Sequence, residues 1–397
     1  MFTQFCQLVL VATTVLLFSA WGVTAQPADR EFGWSLTVSP KDRKRQERSR
    51  TETPRELDKP ATDEIRIETQ LVLSDLLVQD GKGIPVPGLT ATDFEITEDG
   101  VRQGIDVFAY GDSEIPRSII LVIDHSFSQR PYIDLSIAAA KVLVDSMRPS
   151  DRLAIVSDDV ELVSDFTSDK VLLKDRLESL RVKCNEGRFG ASKQYSSLFA
   201  SLMERTSRNG TRNIIIFQTD GDELGLLPKN PSSVGSPNFT LEDIVSVATR
   251  KGVTIYSVFT GMLLNRLRRD ERAERVKEDL IARAKLAEEM RRVRAAHSKP
   301  AKFSDRFLTA RSDQLMAEEA AVSAVSTRTG GIAQVLVAPE NARQVYDNIL
   351  SDIGRRYLIG YYPSEPGQTG TREREVQITL RSRRGHRIIG GRTYIAY

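Results

Sequence analysis

The sequence predicts a doubly wound α/β fold, with a mostly parallel sheet and helices on both faces, joined by a small β-sandwich-like module from flanking segments. Three observations predict it. Strand-like and helix-like runs alternate from about residue 118 to 355, as a parallel sheet with crossover helices requires. The runs SIILVID (118–124) and NIIIFQTD (213–220) are nearly continuous in apolar residues, as strands covered on both faces must be. The stretches before 112 and after 364 are instead short β-like runs broken by turns.

The totals set the frame. A chain of 397 residues is long enough for more than one unit. With 40% hydrophobic and 28% charged residues it is neither wholly disordered nor a multi-span membrane protein. The net charge of +2, from 56 basic and 54 acidic residues, gives no electrostatic reason to bind nucleic acid.

Residues 1–25 carry no charged side chain, and Leu8 to Val23 is almost unbroken apolar sequence ending in Val23-Thr24-Ala25, a small-residue cleavage pattern. This reads as a secretory signal, with an uncleaved membrane tether as the alternative, so the chain is expected to be exported: periplasmic, cell-surface or secreted. Cys6 lies inside that segment, which leaves Cys184 alone and without an internal disulfide partner. Residues 26–64, dominated by Arg, Lys, Glu, Asp, Thr and Pro, read as a disordered charged linker.

From 65 to 112 come short runs with turns at Asp80-Gly81-Lys82-Gly83, Pro87-Gly88 and Asp99-Gly100, an N-terminal β module. The α/β unit follows over 116–363. Its strand at 118–124 leads to YIDLSIAAAKVLVDSM (132–147), which has helical apolar spacing. RLAIVS (152–157) and VELVSDF (160–166) form a hairpin, and KVLLKDRLESL is an amphipathic helix. A helix near 196–206, the strand at 213–220, a helix opened at Thr240 by the capping-box pattern TLED, and the strand VTIYSVF (253–259) continue the alternation. Helices at 314–328 and 340–355 bracket the short strand AQVLV, and YLIGYYP closes the unit. Between about 261 and 313 lies an insertion rich in Arg, Glu and Ala, a long helix with Val276, Leu280, Ala284, Ala287 and Met290 roughly on one face. The last segment, 364–397, gives two strand-like runs that can pair with 65–112.

Chemistry concentrates at two strand ends. In a doubly wound sheet, ligands bind where loops leave the carboxyl ends of adjacent strands. One strand ends in Asp124-His125-Ser126-Phe127-Ser128, offering a carboxylate and two hydroxyls, and another in Thr219-Asp220-Gly221-Asp222. A hard cation such as Mg²⁺, or Mn²⁺ or Ca²⁺ in its place, takes oxygen ligands and keeps waters, so such a set suits it and leaves a position open. The bland alternative is that Asp124, Ser126 and Ser128 only satisfy backbone donors in a tight loop. Asp222 and Glu223 read as solvated loop acids.

Asp124-x-Ser126-x-Ser128 after an apolar strand, with Thr219-Asp220-Gly221 after a later one, resembles the metal-ion-dependent adhesion site of von Willebrand factor A-type (VWFA) domains. LVQDGKGIPVPGLTATDFEITEDGVRQGIDVFAY, DFTSDKVLLKDRLESL and RRYLIGYYPSEPG are similar to VWFA-related proteins of acidobacteria, so the resemblance spans about 65–397 apart from the insertion. It implies a Rossmann-like α/β domain and a metal set of Asp124, Ser126, Ser128, Ser196 and Asp220. Family members carry a Thr in a Gly-Gly-Thr-like turn near residue 196, where this chain reads Lys193-Gln194-Tyr195-Ser196-Ser197. Ser196 is the first candidate for that hydroxyl and Ser197 the second. His125 and Phe127 stand where small residues are common, and Phe127 can crowd the site.

The expected function is therefore a metal-dependent, adhesion-type binding module that captures an exposed acidic residue of an unidentified partner protein, with no nucleic acid. The alternative is a structural scaffold with a metal-free site. Hydrolysis is disfavoured: there is no Gly-x-Ser-x-Gly elbow and no Gly-rich phosphate loop after the first strand.

Overall fold

The computed structural model describes residues 35–38, 71–111, 115–206, 211–223, 239–291, 303–364, 372–381, 385–390 and 393–396. Its elements, in chain order, are β1 (Thr37–Val38), β2 (Val72–Gln79), β3 (Phe94–Glu98), β4 (Val101–Gln103), β5 (Val107–Tyr110), β6 (Arg117–Ile123), α1 (Ile133–Asp145), β7 (Arg152–Ser157), β8 (Glu161–Thr167), α2 (Lys170–Asn185), α3 (Gln194–Glu204) and β9 (Arg212–Thr219). They continue with α4 (Leu241–Arg250), β10 (Thr254–Phe259), α5 (Arg269–Arg291), α6 (Asp305–Arg328), β11 (Ala333–Val335), α7 (Ala342–Ile353), β12 (Tyr357–Tyr361), β13 (Arg372–Leu380), β14 (Arg387–Ile389) and β15 (Thr393–Ala396).

The central sheet runs β1-β8-β7-β6-β9-β10-β11, parallel throughout except for the β7–β8 hairpin. The fold is a mixed α/β architecture with a mostly parallel central sheet. Ile119, Leu121 and Ile123 of β6 join α1, α2 and α7 in one core through Ile137, Leu143, Leu177 and Ile349. On the other face Tyr195 of α3 meets Phe217 of β9 edge-on at 5.2 Å, and the Ser257 hydroxyl of β10 donates to the Val322 carbonyl of α6 at 2.9 Å. Helices on both faces explain the unbroken apolar strands, since neither face meets water. At α4, Thr240 and Asp243 form the reciprocal capping box that TLED predicts.

Two antiparallel sheets, β14-β2-β12-β5 and β15-β13-β3-β4, make up the flanking module. Their shared core holds Leu76, Phe94, Ile96, Tyr357, Ile359 and Val376. β13 pairs with β3 and β14 with β2, so segments from both sides of the α/β unit build it. YLIGYYP, expected to close the α/β unit, instead lies as β12 between β2 and β5. Its aromatic rings decide the placement, because Tyr357 packs against Phe94, Phe108 and Tyr110 with centroids 4.6 to 5.8 Å away.

Three further differences have plain causes. Thr37–Val38, inside the stretch expected to be linker, form β1 on the open edge of β8, beside the buried Leu36, and the Thr37 amide donates to the Val160 carbonyl at 2.9 Å. An unpaired edge recruits extended chain even when only a few residues are apolar. The rest of the expected linker and the expected signal, residues 1–25, lie outside the described residues. The insertion is a hairpin of two helices, α5 and α6, with α6 starting at Asp305 instead of near 314. Leu308 packs with Met262, Leu264 and Val276, and Ser304 caps the Phe307 amide. Among the described residues no helix is long and apolar enough to cross a membrane.

Candidate metal centre

β6 lies between β7 and β9, so chain connections leave it in opposite directions, and the carboxyl ends of β6 and β9 mark the switch point at which such sheets form their ligand crevice. Asp124 and Asp220 both stand there. Their register makes them neighbours: Ile123 pairs with Gln218, and the Asp124 amide donates to the Gln218 carbonyl at 3.1 Å.

Asp124 uses one carboxylate oxygen to accept the Ser126 amide at 2.8 Å, which fixes the turn after β6. The Ser126 and Ser128 hydroxyls lie 2.9 Å apart, and Ser128 hydrogen-bonds the Asp220 carboxylate. The two serines thus link the β6 loop to the β9 loop. Gly221 carries φ of 78°, and a Cβ there would stand 2.7 Å from Val322 of α6. Only glycine serves this turn, because the conformation is left-handed and the space is filled.

The sequence-derived set is brought together except at one position. Asp124, Ser126, Ser128 and Asp220 share the crevice, and all four are buried. Ser196, expected as the further hydroxyl, turns away: its hydroxyl donates to Glu223 at 2.8 Å, and the Tyr195 and Ser196 amides donate to the same carboxylate. A carboxylate at the first turn of α3 collects the free amides there, and the hydroxyl follows it. Ser197 is also engaged, donating to the Ser157 carbonyl at 2.7 Å. The side chain that reaches the centre is Gln194. Its Nε2 donates to Asp124 at 2.9 Å and stands 3.5 Å from both the Asp220 carboxylate and the Asp222 carbonyl.

His125 and Phe127 do not crowd the crevice. Phe127 packs edge-on against Phe189 at 5.0 Å. The His125 Nδ1 pairs with Asp158 at 2.5 Å, and its amide donates to the same carboxylate at 3.0 Å. Asp158 also accepts the Ser192 amide at 2.9 Å, and a Cβ on Gly190 would collide with it at 2.1 Å. The histidine therefore belts the β6 loop to the segment before α3, and Asp158 holds its pKa above the ordinary value against the opposing effect of burial.

Asp222 and Glu223, read from sequence as solvated, are structural. Asp222 pairs with Arg311 of α6 at 2.7 Å, and Arg311 reaches Glu318 at 3.5 Å. Burial raises Glu223 to about 7, against the hydrogen bonds from Ser196 and Tyr195. Burial, then the Asp222 charge, raises Glu318 to about 8. Asp124 is pushed well above its usual range by burial and by the Asp220 and Asp158 charges, and Asp220 is raised by burial and Asp222. Asp124, Asp220, Glu223 and Glu318 all resist ionisation, and Arg311 is the positive charge set against Asp222 and Glu318.

Among the described residues, no group of three or more His, Cys, Asp or Glu side chains stands in metal-holding geometry. The centre instead combines two carboxylates, two hydroxyls and an amide, all hard donors of the kind Mg²⁺ takes. The amide oxygen of Gln194 is buried and has no hydrogen-bond partner among the described residues. Burial of an acceptor without a donor is costly, and a cation between the carboxylates would relieve both that acceptor and their mutual repulsion. The residues present fit the ion.

Neither a protein-family model nor a curated protein matches the chain. Solved structures do. An aerotolerance-related membrane protein from Bacteroides fragilis matches at TM-score 0.36 and 14% identity, over 60% of this chain and 98% of that one. The von Willebrand factor domain of a type V pili tip protein from Porphyromonas gingivalis matches at 0.36 and 15%, over 62% and 96%. A von Willebrand factor type A protein from Catenulispora acidiphila matches at 0.33 and 11%, over 83% and 73%. The chain is similar in fold to these proteins. At such identities the likeness assigns no residue a role, and the site stands on its own geometry.

Gln194, Asp158, Arg311 and Glu318 were not found from sequence. Gln194 sits two residues before the favoured serine, and only the capture of Ser196 by Glu223 distinguishes them. Arg311 comes from the insertion and Glu318 from the helix expected after it, fused in α6, whose docking no motif announces.

Proposed function

We propose that this chain is an exported, non-enzymatic protein-binding module that captures an acidic group of a partner through a divalent cation, Mg²⁺ first, at Asp124, Ser126, Ser128 and Asp220. The observation that carries the reading is the buried Asp124–Asp220 pair at the strand switch, with both carboxyls raised and two hydroxyls beside them. When bound, the cation supplies a hard acid with an open coordination position that a carboxylate from outside completes. The serines hold the two loops in register, His125 and Asp158 brace the β6 loop from behind, and Arg311 reduces the negative field a partner carboxylate meets on the α6 side.

A second reading has its own support. The Gln194 Nε2 donates to Asp124 at 2.9 Å and stands 3.5 Å from Asp220, a link between the carboxylates that a metal-free scaffold would use.

Titration calorimetry of Mg²⁺ and Mn²⁺ into the full chain, beside Asp124→Ala, separates them. Saturable binding that vanishes in the variant, with a rise in melting temperature on metal addition in wild type only, supports the adhesion reading. Absence of both in wild type leaves the scaffold.

A further inference from the structure

We propose that Gln194 is a reversible occupant of the metal centre, its amide donating to the two carboxylates without the cation and turning over to ligate through Oε1 when the cation is present. This inference rests on the adhesion-site reading and names the residue that takes the place expected for Ser196.

Three observations meet on this side chain. Gln194 is 1% exposed, so its amide cannot look to bulk water for partners. Nε2 faces Asp124 at 2.9 Å and Asp220 at 3.5 Å, the position where positive charge is most wanted. Oε1, on the same planar group, is buried and without a partner among the described residues. One half of the amide is over-supplied with acceptors and the other has no donor.

A primary amide presents a donor and an acceptor of almost equal size on either side of one bond, and half a turn about that bond exchanges them. Negative charge at the centre selects the donor, as here. A cation at the centre selects the acceptor, because NH₂ facing a metal is repelled and a carbonyl oxygen facing it is a ligand. The backbone can remain still through the exchange. The Tyr195 and Ser196 amides are held by Glu223, at 2.5 and 3.3 Å, and the Ser196 hydroxyl is fixed to the same carboxylate. Glu223 therefore both removes Ser196 from the ligand set and anchors the turn from which Gln194 projects.

The test uses the full chain as wild type, Gln194→Met and Gln194→Glu. Methionine keeps the length and apolar stem and loses both polar atoms. Calorimetric titration with Mg²⁺ should show the Met variant binding about tenfold more weakly than wild type, and the Glu variant binding more tightly. In chelator the Met variant should melt below wild type, because the carboxylates lose their shared donor. A second readout follows the amide itself: the ¹⁵N side-chain cross-peaks absent from the Met spectrum belong to Gln194, and Mg²⁺ should move them as the NH₂ leaves its carboxylate acceptors.

Wild-type binding with the Met variant equal or tighter would make Gln194 a plug and overturn the ligand role while leaving the adhesion reading intact. Cross-peaks unmoved at saturating Mg²⁺ would overturn the exchange in the same way. Wild type that binds neither Mg²⁺ nor Mn²⁺ would end both the reading and the inference.

Discussion

Asp124 illustrates how a functional residue opposes folding. Its carboxyl is buried beside Asp220 and Asp158 and resists ionisation. Replacing it with asparagine keeps an oxygen for the Ser126 amide and removes the charge. Asp124→Asn should therefore raise the melting temperature in chelator at pH 7 by roughly 2 to 4 °C, about 1 kcal/mol, while abolishing stabilisation by Mg²⁺. A drop in chelator would show that the carboxylate is not under strain. Glu223 gives the same tension a pH window. Its folded pKa of about 7 lies above the usual 4.5, so the folded chain binds a proton that the unfolded chain releases. That contribution is fully present below the ordinary carboxylate range and is lost as pH rises through about 7. Denaturation in chelator should accordingly give greater stability at pH 6 than at pH 8. Asp151 works in the opposite sense: burial acts to raise its pKa, yet hydrogen bonds from Arg117 and Arg148 hold it below the ordinary value. Its contribution is present above that value and fails in acid, which closes the stability curve from below.

At the scale of elements, the α5–α6 hairpin reaches the edge of the candidate metal centre through Arg311. Arg311 joins Asp222 to the nearly buried Glu318, which also accepts the Gln314 amide at 2.8 Å. Arg311→Gln should destabilise the metal-free protein by about 1 to 2 kcal/mol by leaving those acids unpaired, and should tighten Mg²⁺ binding because a competing positive charge is gone. Unchanged affinity would mean that the hairpin is electrically separate from the crevice. The elements also mark what sequence alone made legible. β6, β9 and β10 were readable because strands covered on both faces carry apolar residues in near-continuous runs, and α4 because its capping box is local. β12 was misassigned because periodicity reports burial and not which sheet buries the strand. β1 was missed because edge pairing uses backbone groups, which composition does not report. That Asp124, Ser126, Ser128 and Asp220 lie together follows from the strand switch, which sets the loops after β6 and β9 side by side. The Ser196 hydroxyl is drawn to Glu223, a competition decided in three dimensions.

For the whole molecule, one buried ion cluster joins the α/β unit to the flanking module. Arg356, fully buried, donates to Asp75 of β2 at 2.6 Å and to the Gly330 carbonyl at 2.7 Å, and Asp75 also pairs with Arg212 of β9 at 3.0 Å. Removing one partner of a buried cluster leaves the others uncompensated, so Arg356→Met should cost about 3 to 5 kcal/mol in chemical denaturation. A loss under 1 kcal/mol would show that apolar packing alone holds the two parts together.

The flanking module has a further consequence for the order in which the chain is made. Its two sheets join β2 to β14 and β3 to β13, so strands synthesised early wait for partners made about 280 or more residues later. Such distant pairing is slow and exposes unpaired edges in the meantime. A nascent chain therefore cannot complete this module until β13 and β14 have joined β2 and β3, long after the α/β unit between them has been made.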